Sequence, residues 1–351
     1  MDKIKIAFFD SKPYDIEFFN EANLAFGYEI KFLKTRLNKD TVMLTKGYDA
    51  ICPFVNDDVS AEIIGQLVAN GIKLIALRSA GYNNVNLKAA YQKINVVRVP
   101  AYSPHAVAEH AVALMLSLNR HIHRAYYRVR DLNFSIDGLV GFDMAGKTVG
   151  IIGTGKIGLV AAKILKGFEM EVIAHDPYPN QKQARALGFA YVPLNELYSR
   201  SDIISLHCPL TPETKDIINK KSLAIMKDGA MLINTGRGKL IKTEDLIEAL
   251  ISKKIGSAGL DVYEEESEYF FEDFSGSFIS DEILARLLAL NNVLITSHQG
   301  FFTREALRSI ALTTLNNIKE YFADGALTNE VCYQCEEKGT RCIKERDGKC
   351  F

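Results

Sequence analysis

The chain lacks an excess of either charge: 42 lysines and arginines stand against 43 aspartates and glutamates, leaving a net charge of −1. That balance provides no global electrostatic footprint for nucleic acid or an anionic membrane, so neither partner is expected. No apolar run approaches the roughly 20 residues of a membrane-spanning helix. Met1-Asp2-Lys3-Ile4-Lys5 enters directly into a strand-like run, without the apolar core of a signal peptide. A soluble globular protein in the cytoplasm, acting on a small molecule, is the expectation that these absences leave. Internal repeats and low-complexity segments are also missing. Cysteine is sparse through most of the chain, and Cys52 and Cys208 lie in apolar runs, where they read as buried small hydrophobes rather than disulfide partners.

With 351 residues and 48% hydrophobic content, the chain can build two domains of ordinary size. Apolar runs at 4–9, 29–33, 50–54, 74–77 and 96–99 read as strands, with helical patterns over 13–25 and 60–70 between them. Such alternation predicts a small parallel sheet with helices on its faces. Ser103-Pro104 reads as an N-cap followed by proline at the first helical position. The helix it opens carries Val107, Ala111, Leu114, Met115 and Leu118 at helical spacing and is expected to connect the two domains. Strands near 149–152, 171–175, 202–206, 230–233, 257–260 and 292–296 predict a second sheet of six strands, doubly wound. A final helix over about 304–322 is placed back on the first domain. The fold class is therefore α/β, two doubly wound parallel-sheet domains with a cleft between them.

Residues 148–158 read Thr-Val-Gly-Ile-Ile-Gly-Thr-Gly-Lys-Ile-Gly, an apolar strand breaking into Gly153-x-Gly155-x-x-Gly158. Gly153 permits the tight strand-to-helix turn, Gly155 lets the backbone approach a pyrophosphate, and Gly158 allows close helix packing. The helix N-terminus then offers unpaired N–H groups to the phosphates. A second strand delivers Asp176, whose carboxylate accepts hydrogen bonds from ribose hydroxyls and repels a 2′-phosphate. Pro177 and Tyr178 supply no arginine to reverse that choice, so the cofactor expected is NAD rather than NADP.

Open parallel sheets bind ligands beyond the carboxyl ends of their strands, and three runs stand there. Asn234-Thr235-Gly236-Arg237-Gly238 places Arg237 between glycines, either as a surface ion-pair partner or as a bidentate clamp on a carboxylate. Asp261-Val262-Tyr263-Glu264-Glu265-Glu266 ends another strand in carboxylates, either a solvated acidic face or partners for an imidazole. Ser297-His298 follows a third, with His298 as a capping residue or as a proton donor. Their joint occurrence on one sheet favours the chemical readings, because a carboxylate raises the pKa of a neighbouring imidazole and fixes its tautomer.

Together these runs resemble the NAD-dependent D-2-hydroxyacid dehydrogenase family over residues 1 to about 331. The stretches 119–126, 130–135, 206–213 and 297–301 are similar, within it, to the fermentative D-lactate dehydrogenases of bacteria. The resemblance implies a flavodoxin-like substrate domain over 1–102 and 299–331 and a Rossmann NAD-binding domain over 103–298. It implies reversible reduction of pyruvate to D-lactate, with a larger 2-ketoacid as the alternative substrate and an NAD-sensing binding protein as the alternative class. Arg237 would bind the substrate carboxylate and polarise the carbonyl, His298 would be the acid/base, and Glu266 would hydrogen-bond to it. Asp261 would tune the histidine and contact the nicotinamide side. Backbone N–H groups of Ser79-Ala80-Gly81 and the hydroxyl of Tyr102 would meet the substrate. Gly153, Gly155, Lys156, Ile157, Gly158, Asp176, Cys208, Pro209, Thr214, Thr235, Gly236 and Arg237 would line the cofactor. A homo-oligomer, dimer or tetramer, is implied as well, and the basic stretch from Arg120 to Arg130 is a candidate for its interface.

The tail, 332–351, departs from the family. Four of the six cysteines, Cys332, Cys335, Cys342 and Cys350, crowd there. Cys332-x-x-Cys335 has the separation of a zinc-binding pair, but no second such pair follows and the segment has almost no apolar content. Metal, redox pairing and a loosely packed appendage all remain open for it, and no metal is assigned.

Overall fold

A computed structural model describes residues 3–265, 269–323 and 325–334. The backbone clusters into two compact units, Met1–Ser103 with Thr303–Phe351, and Pro104–Phe302. Among the described residues, no helix is long and apolar enough to cross a membrane.

The first unit is built on strands β1 (Lys5–Phe8), β2 (Glu29–Phe32), β3 (Ala50–Cys52), β4 (Leu74–Ala76) and β5 (Asn95–Val97). They pair in parallel in the order β5-β4-β3-β1-β2. Residues of β3, β4 and β5 are all buried, as a parallel sheet covered on both faces requires. Helix Arg304–Ala323 packs against helix Pro13–Asn23 and β4, so the chain's last long helix does return to the first sheet. The short strand that pairs antiparallel with β5 at Glu330 and Val331 is a later segment not legible in the apolar pattern.

The second unit holds β6 (Thr148–Ile152), β7 (Glu171–His175), β8 (Ala190–Tyr191), β9 (Ile203–Leu206), β10 (Ala230–Asn234), β11 (Ile255–Leu260) and β12 (Val293–Ile295). Its seven strands run in the order β12-β11-β10-β9-β6-β7-β8, one more than the six expected, since β8 is only two residues long. The antiparallel strand of the first unit is then β13 (Glu330–Val331). Two cores flank this sheet. One packs helix Pro104–Asn119 and helix Lys156–Gly167 on it through residues such as Leu114, Met115, Ala161 and Leu165. The other, on the opposite face, includes Leu197, Leu246, Leu250 and Leu287. Because β6 pairs with both β7 and β9, the order reverses there, and the loop after β6 stands at the topological switch point where such sheets bind ligands.

Candidate active site

The glycine loop leaves β6 as the sequence predicts. Gly153 has φ +94, and a Cβ on it would lie 2.6 Å from the backbone nitrogen of Cys208. A Cβ on Gly158 would lie 2.0 Å from the carbonyl oxygen of Gly153. Any side chain at either position forces the loop open. Gly155 is the N-cap of helix Lys156–Gly167, with no side-chain cap and open space where its Cβ would be. The helix N–H groups therefore face an open cradle, which is the geometry a pyrophosphate needs. Lys156 is exposed and Ile157 half-buried.

Asp176 closes the cradle one strand away. Its Oδ2 accepts from the Thr154 N–H at 2.7 Å and the Thr154 hydroxyl at 2.9 Å, and its Oδ1 accepts from the Tyr178 N–H at 2.9 Å. Burial alone would raise its pKa, but the hydrogen bonds from Thr154 and Tyr178 outweigh that and hold it below the usual carboxylate value. A fixed, ionised carboxylate suits ribose hydroxyls and disfavours a phosphate. Beyond β9, Cys208 is buried and its thiol is pushed up to about 11 by burial. The Thr214 hydroxyl donates to the Pro209 carbonyl at 2.7 Å and so closes the turn over 209–214.

After β10 the Arg237 loop is braced from within. Asn234 Oδ1 accepts from Gly236 N–H at 3.0 Å, and Asn234 Nδ2 donates to the Arg237 carbonyl at 2.9 Å. Gly238 is required here, because a Cβ would lie 2.0 Å from the Tyr263 carbonyl. Arg237 itself is half-buried and donates to the Gly236 carbonyl at 2.8 Å. The buried Thr235 hydroxyl has no hydrogen-bond partner among the described residues, which marks a polar contact open to a ligand.

His298 stands just beyond β12, half-buried, with Phe271 5.9 Å away between ring centroids. Its backbone is left-handed, at φ +48, a conformation that costs a non-glycine residue on the order of 1–3 kcal/mol and persists where neighbours over-determine it. Asp261 does so. Its N–H donates to the Asn234 carbonyl at 2.9 Å and its carbonyl accepts from His298 N–H at 2.8 Å. Its carboxylate, 1% exposed, accepts from Thr296 Oγ1 at 2.5 Å, Gln299 N–H at 2.9 Å and Gly300 N–H at 2.8 Å. Against the burial that would raise it, His110, Thr296 and Gly300 hold the Asp261 pKa down. One aspartate thus ties the Arg237 strand to the His298 loop, a role not visible in the sequence. Arg237, Asp261 and His298 follow three adjacent strands of one sheet, whereas Glu266 lies outside the described residues.

Ser79, Ala80, Gly81 and Tyr102 belong to the first unit. The Ser79 hydroxyl donates to the Gly81 carbonyl at 2.8 Å, and Arg98 donates to the Ala80 carbonyl at 2.8 Å. Tyr102 is half-buried in the bend after β5. Arg78, whose part the sequence did not reveal, anchors this loop from below. Its guanidinium lies 4.3 and 4.5 Å from the Phe8 and Phe54 ring centroids and donates to the Asp10 carbonyl at 2.9 Å. Of the tail cysteines, Cys332 is buried; Cys335, Cys342 and Cys350 lie outside the described residues.

The profile of the family described as D-isomer specific 2-hydroxyacid dehydrogenase, NAD binding domain, matches residues 112–300. The chain belongs to that family. This D-2-hydroxyacid dehydrogenase is 50% identical over 329 residues to the D-lactate dehydrogenase of Escherichia coli strain K12, covering 93% of this chain and 100% of the relative. The apo-structure of D-lactate dehydrogenase from Escherichia coli superposes with a TM-score of 0.87 at 48% identity, over 93% of this chain and 100% of that one. The pyruvate reductase of Chlamydomonas reinhardtii gives 0.89 at 45% identity, over 93% and 98%. NAD is the cofactor of the dehydrogenase, and the glycine cradle, Asp176 and the orphaned Thr235 hydroxyl fit it.

Proposed function

We propose that the enzyme reduces pyruvate reversibly to D-lactate, with Arg237 holding the substrate carboxylate and His298 donating the proton to the carbonyl oxygen. The observation that carries this reading is that Arg237 and His298 follow β10 and β12, the two strands on either side of β11, while Asp261 at the end of β11 bonds Asn234 at the base of the Arg237 loop and the backbone N–H of His298. Bound NADH supplies the hydride. The chain's own part is electrostatic: the arginine stabilises negative charge developing on the carbonyl oxygen, and the imidazolium discharges it by proton transfer. Glu266 is assigned as the carboxylate partner of His298, and the Ser79–Gly81 N–H groups and Tyr102 as further substrate contacts. The Asp261 carboxylate, its oxygens already taken by protein donors, is assigned a supporting role in place of a direct nicotinamide contact.

The test is a panel of pyruvate, 2-ketobutyrate, 2-ketoisocaproate and hydroxypyruvate, each with NADH and NADPH, scored by kcat/KM and by the chirality of the product. Pyruvate with NADH giving D-lactate is the expected optimum. Preference for 2-ketoisocaproate would move the substrate to a larger 2-ketoacid, and tight NADH binding without turnover would replace the enzyme by a sensor.

We further propose a homo-oligomer formed through the segment from Ile122 to Phe142. Its helix, Ile122–Arg130, buries no residue, and Leu132, Phe134, Ile136 and Val140 are 71–87% exposed in a contiguous run of chain, an apolar surface that association would cover.

A further inference from the structure

We propose that His110 is a positioning residue for the reaction, its Nε2–H holding Asp261 and Thr296 in the arrangement that fixes the His298 backbone. The inference rests on the assignment of His298 as proton donor. His110 Nε2 lies 3.0 Å from Thr296 Oγ1 and 3.2 Å from Asp261 Oδ1. The tautomer follows from the hydroxyl. Thr296 has one proton and gives it to Asp261 Oδ1, so towards His110 its oxygen acts only as an acceptor and Nε2 must carry hydrogen. That hydrogen is shared between the hydroxyl and the carboxylate. Asp261 in turn accepts from the two N–H groups that follow His298 in the chain, those of Gln299 and Gly300.

Two glycines make the approach possible. His110, Leu114 and Leu118 recur every fourth residue of helix Pro104–Asn119 and so share one face. A Cβ on Gly259 would lie 3.1 Å from both Leu114 Cβ and Leu118 Cδ1, so the bare backbone of β11 lets this face come close, and Asp261 follows two residues later. A Cβ on Gly300 would lie 2.9 Å from Asp261 Oδ2 and 3.5 Å from His110 Cδ2. Nothing larger fits between the imidazole, the carboxylate and the loop. The helix face therefore delivers a hydrogen-bond donor to the back of the catalytic loop, where a fully apolar stripe would leave the carboxylate one donor short.

The experiment uses the full chain with NADH and pyruvate. His110→Phe keeps a ring and removes the donor, and kcat is expected to fall about tenfold, the loss of a hydrogen bond to a charged group, while the Kd for NADH stays unchanged. His110→Gln returns a donor close to Nε2 and should recover most of that loss. Thr296→Val should lower kcat in the same way, and the double variant His110→Phe/Thr296→Val should fall no further than the worse single one, since the two act as a unit. Should His110→Phe fail to fold, Thr296→Val and His110→Gln carry the test. A wild-type kcat in folded His110→Phe or in Thr296→Val, His110→Gln as impaired as His110→Phe, or losses that multiply in the double variant each overturn the proposal. His298→Gln, run alongside, separates the two levels: if it loses turnover while His110→Phe does not, only the His110 role falls, and if it keeps turnover, the proton-donor assignment falls and the His110 role with it.

Discussion

At the scale of single residues, the site depends on polar groups whose protonation the fold has set in advance. Asp176 is held ionised by three donors from Thr154 and Tyr178. Replacing it by asparagine should weaken NADH binding about tenfold, the value of a charge-assisted hydrogen bond, and raise the relative use of NADPH; cofactor titration checks both. His207 is half-buried, with Ser205 Oγ 2.9 Å from its Nε2, and removal from solvent lowers its pKa from 6.5 to about 4. The unfolded chain takes up a proton on this imidazole near 6.5 and the folded chain only near 4, so acidification through that window favours unfolding. Its share of the stability, on the order of 3 kcal/mol, is complete above the upper value and lost at the lower one. Urea unfolding of His207→Asn against wild type across that window should show the difference change with pH, and parallel curves would refute it. The placement of Arg237 and His298 just beyond strand ends was legible, because each stands in a polar run that follows an apolar one. His110 was not: a histidine in step with Leu114 and Leu118 reads as part of a packed stripe, and only the three-dimensional approach of Asp261 reveals its partner.

At the scale of elements, the parallel strands were legible from apolar runs buried on both faces, and their helices from the spacing between. β8 and β13 were not, because two residues carry no periodicity. The Gly153-x-Gly155-x-x-Gly158 pattern was legible with its mechanism, and it yields a direct prediction. Gly158→Ala puts a methyl group 2.0 Å from a backbone carbonyl, which cannot move without unseating the turn. Stability should fall by about 1–3 kcal/mol, as overpacking does, and NADH affinity should fall with it, measured by thermal unfolding and by NADH fluorescence. The same change at Gly155 meets open space, so Gly155→Ala should leave stability near wild type and act on cofactor binding alone. The left-handed backbone at His298 was beyond sequence reasoning, since it depends on contacts with Asp261, 37 positions away in the numbering.

At the scale of the whole molecule, the chain forms two α/β units: one carries the glycine cradle, Arg237 and His298, the other the Ser79–Gly81 loop with its bond from Arg98. The proposed oligomer predicts that Phe134→Asp with Ile136→Asp reduces the molar mass seen by light scattering while the far-ultraviolet circular dichroism is retained; an unchanged mass would place the interface elsewhere. The central claim is that His298 delivers the proton in 2-ketoacid reduction, and the most direct measurement is the kcat of His298→Gln for NADH oxidation with pyruvate, on protein shown to fold and to bind NADH normally. A fall of about 10²- to 10⁴-fold is predicted, the range of general acid catalysis; a kcat within a few-fold of wild type would contradict the account.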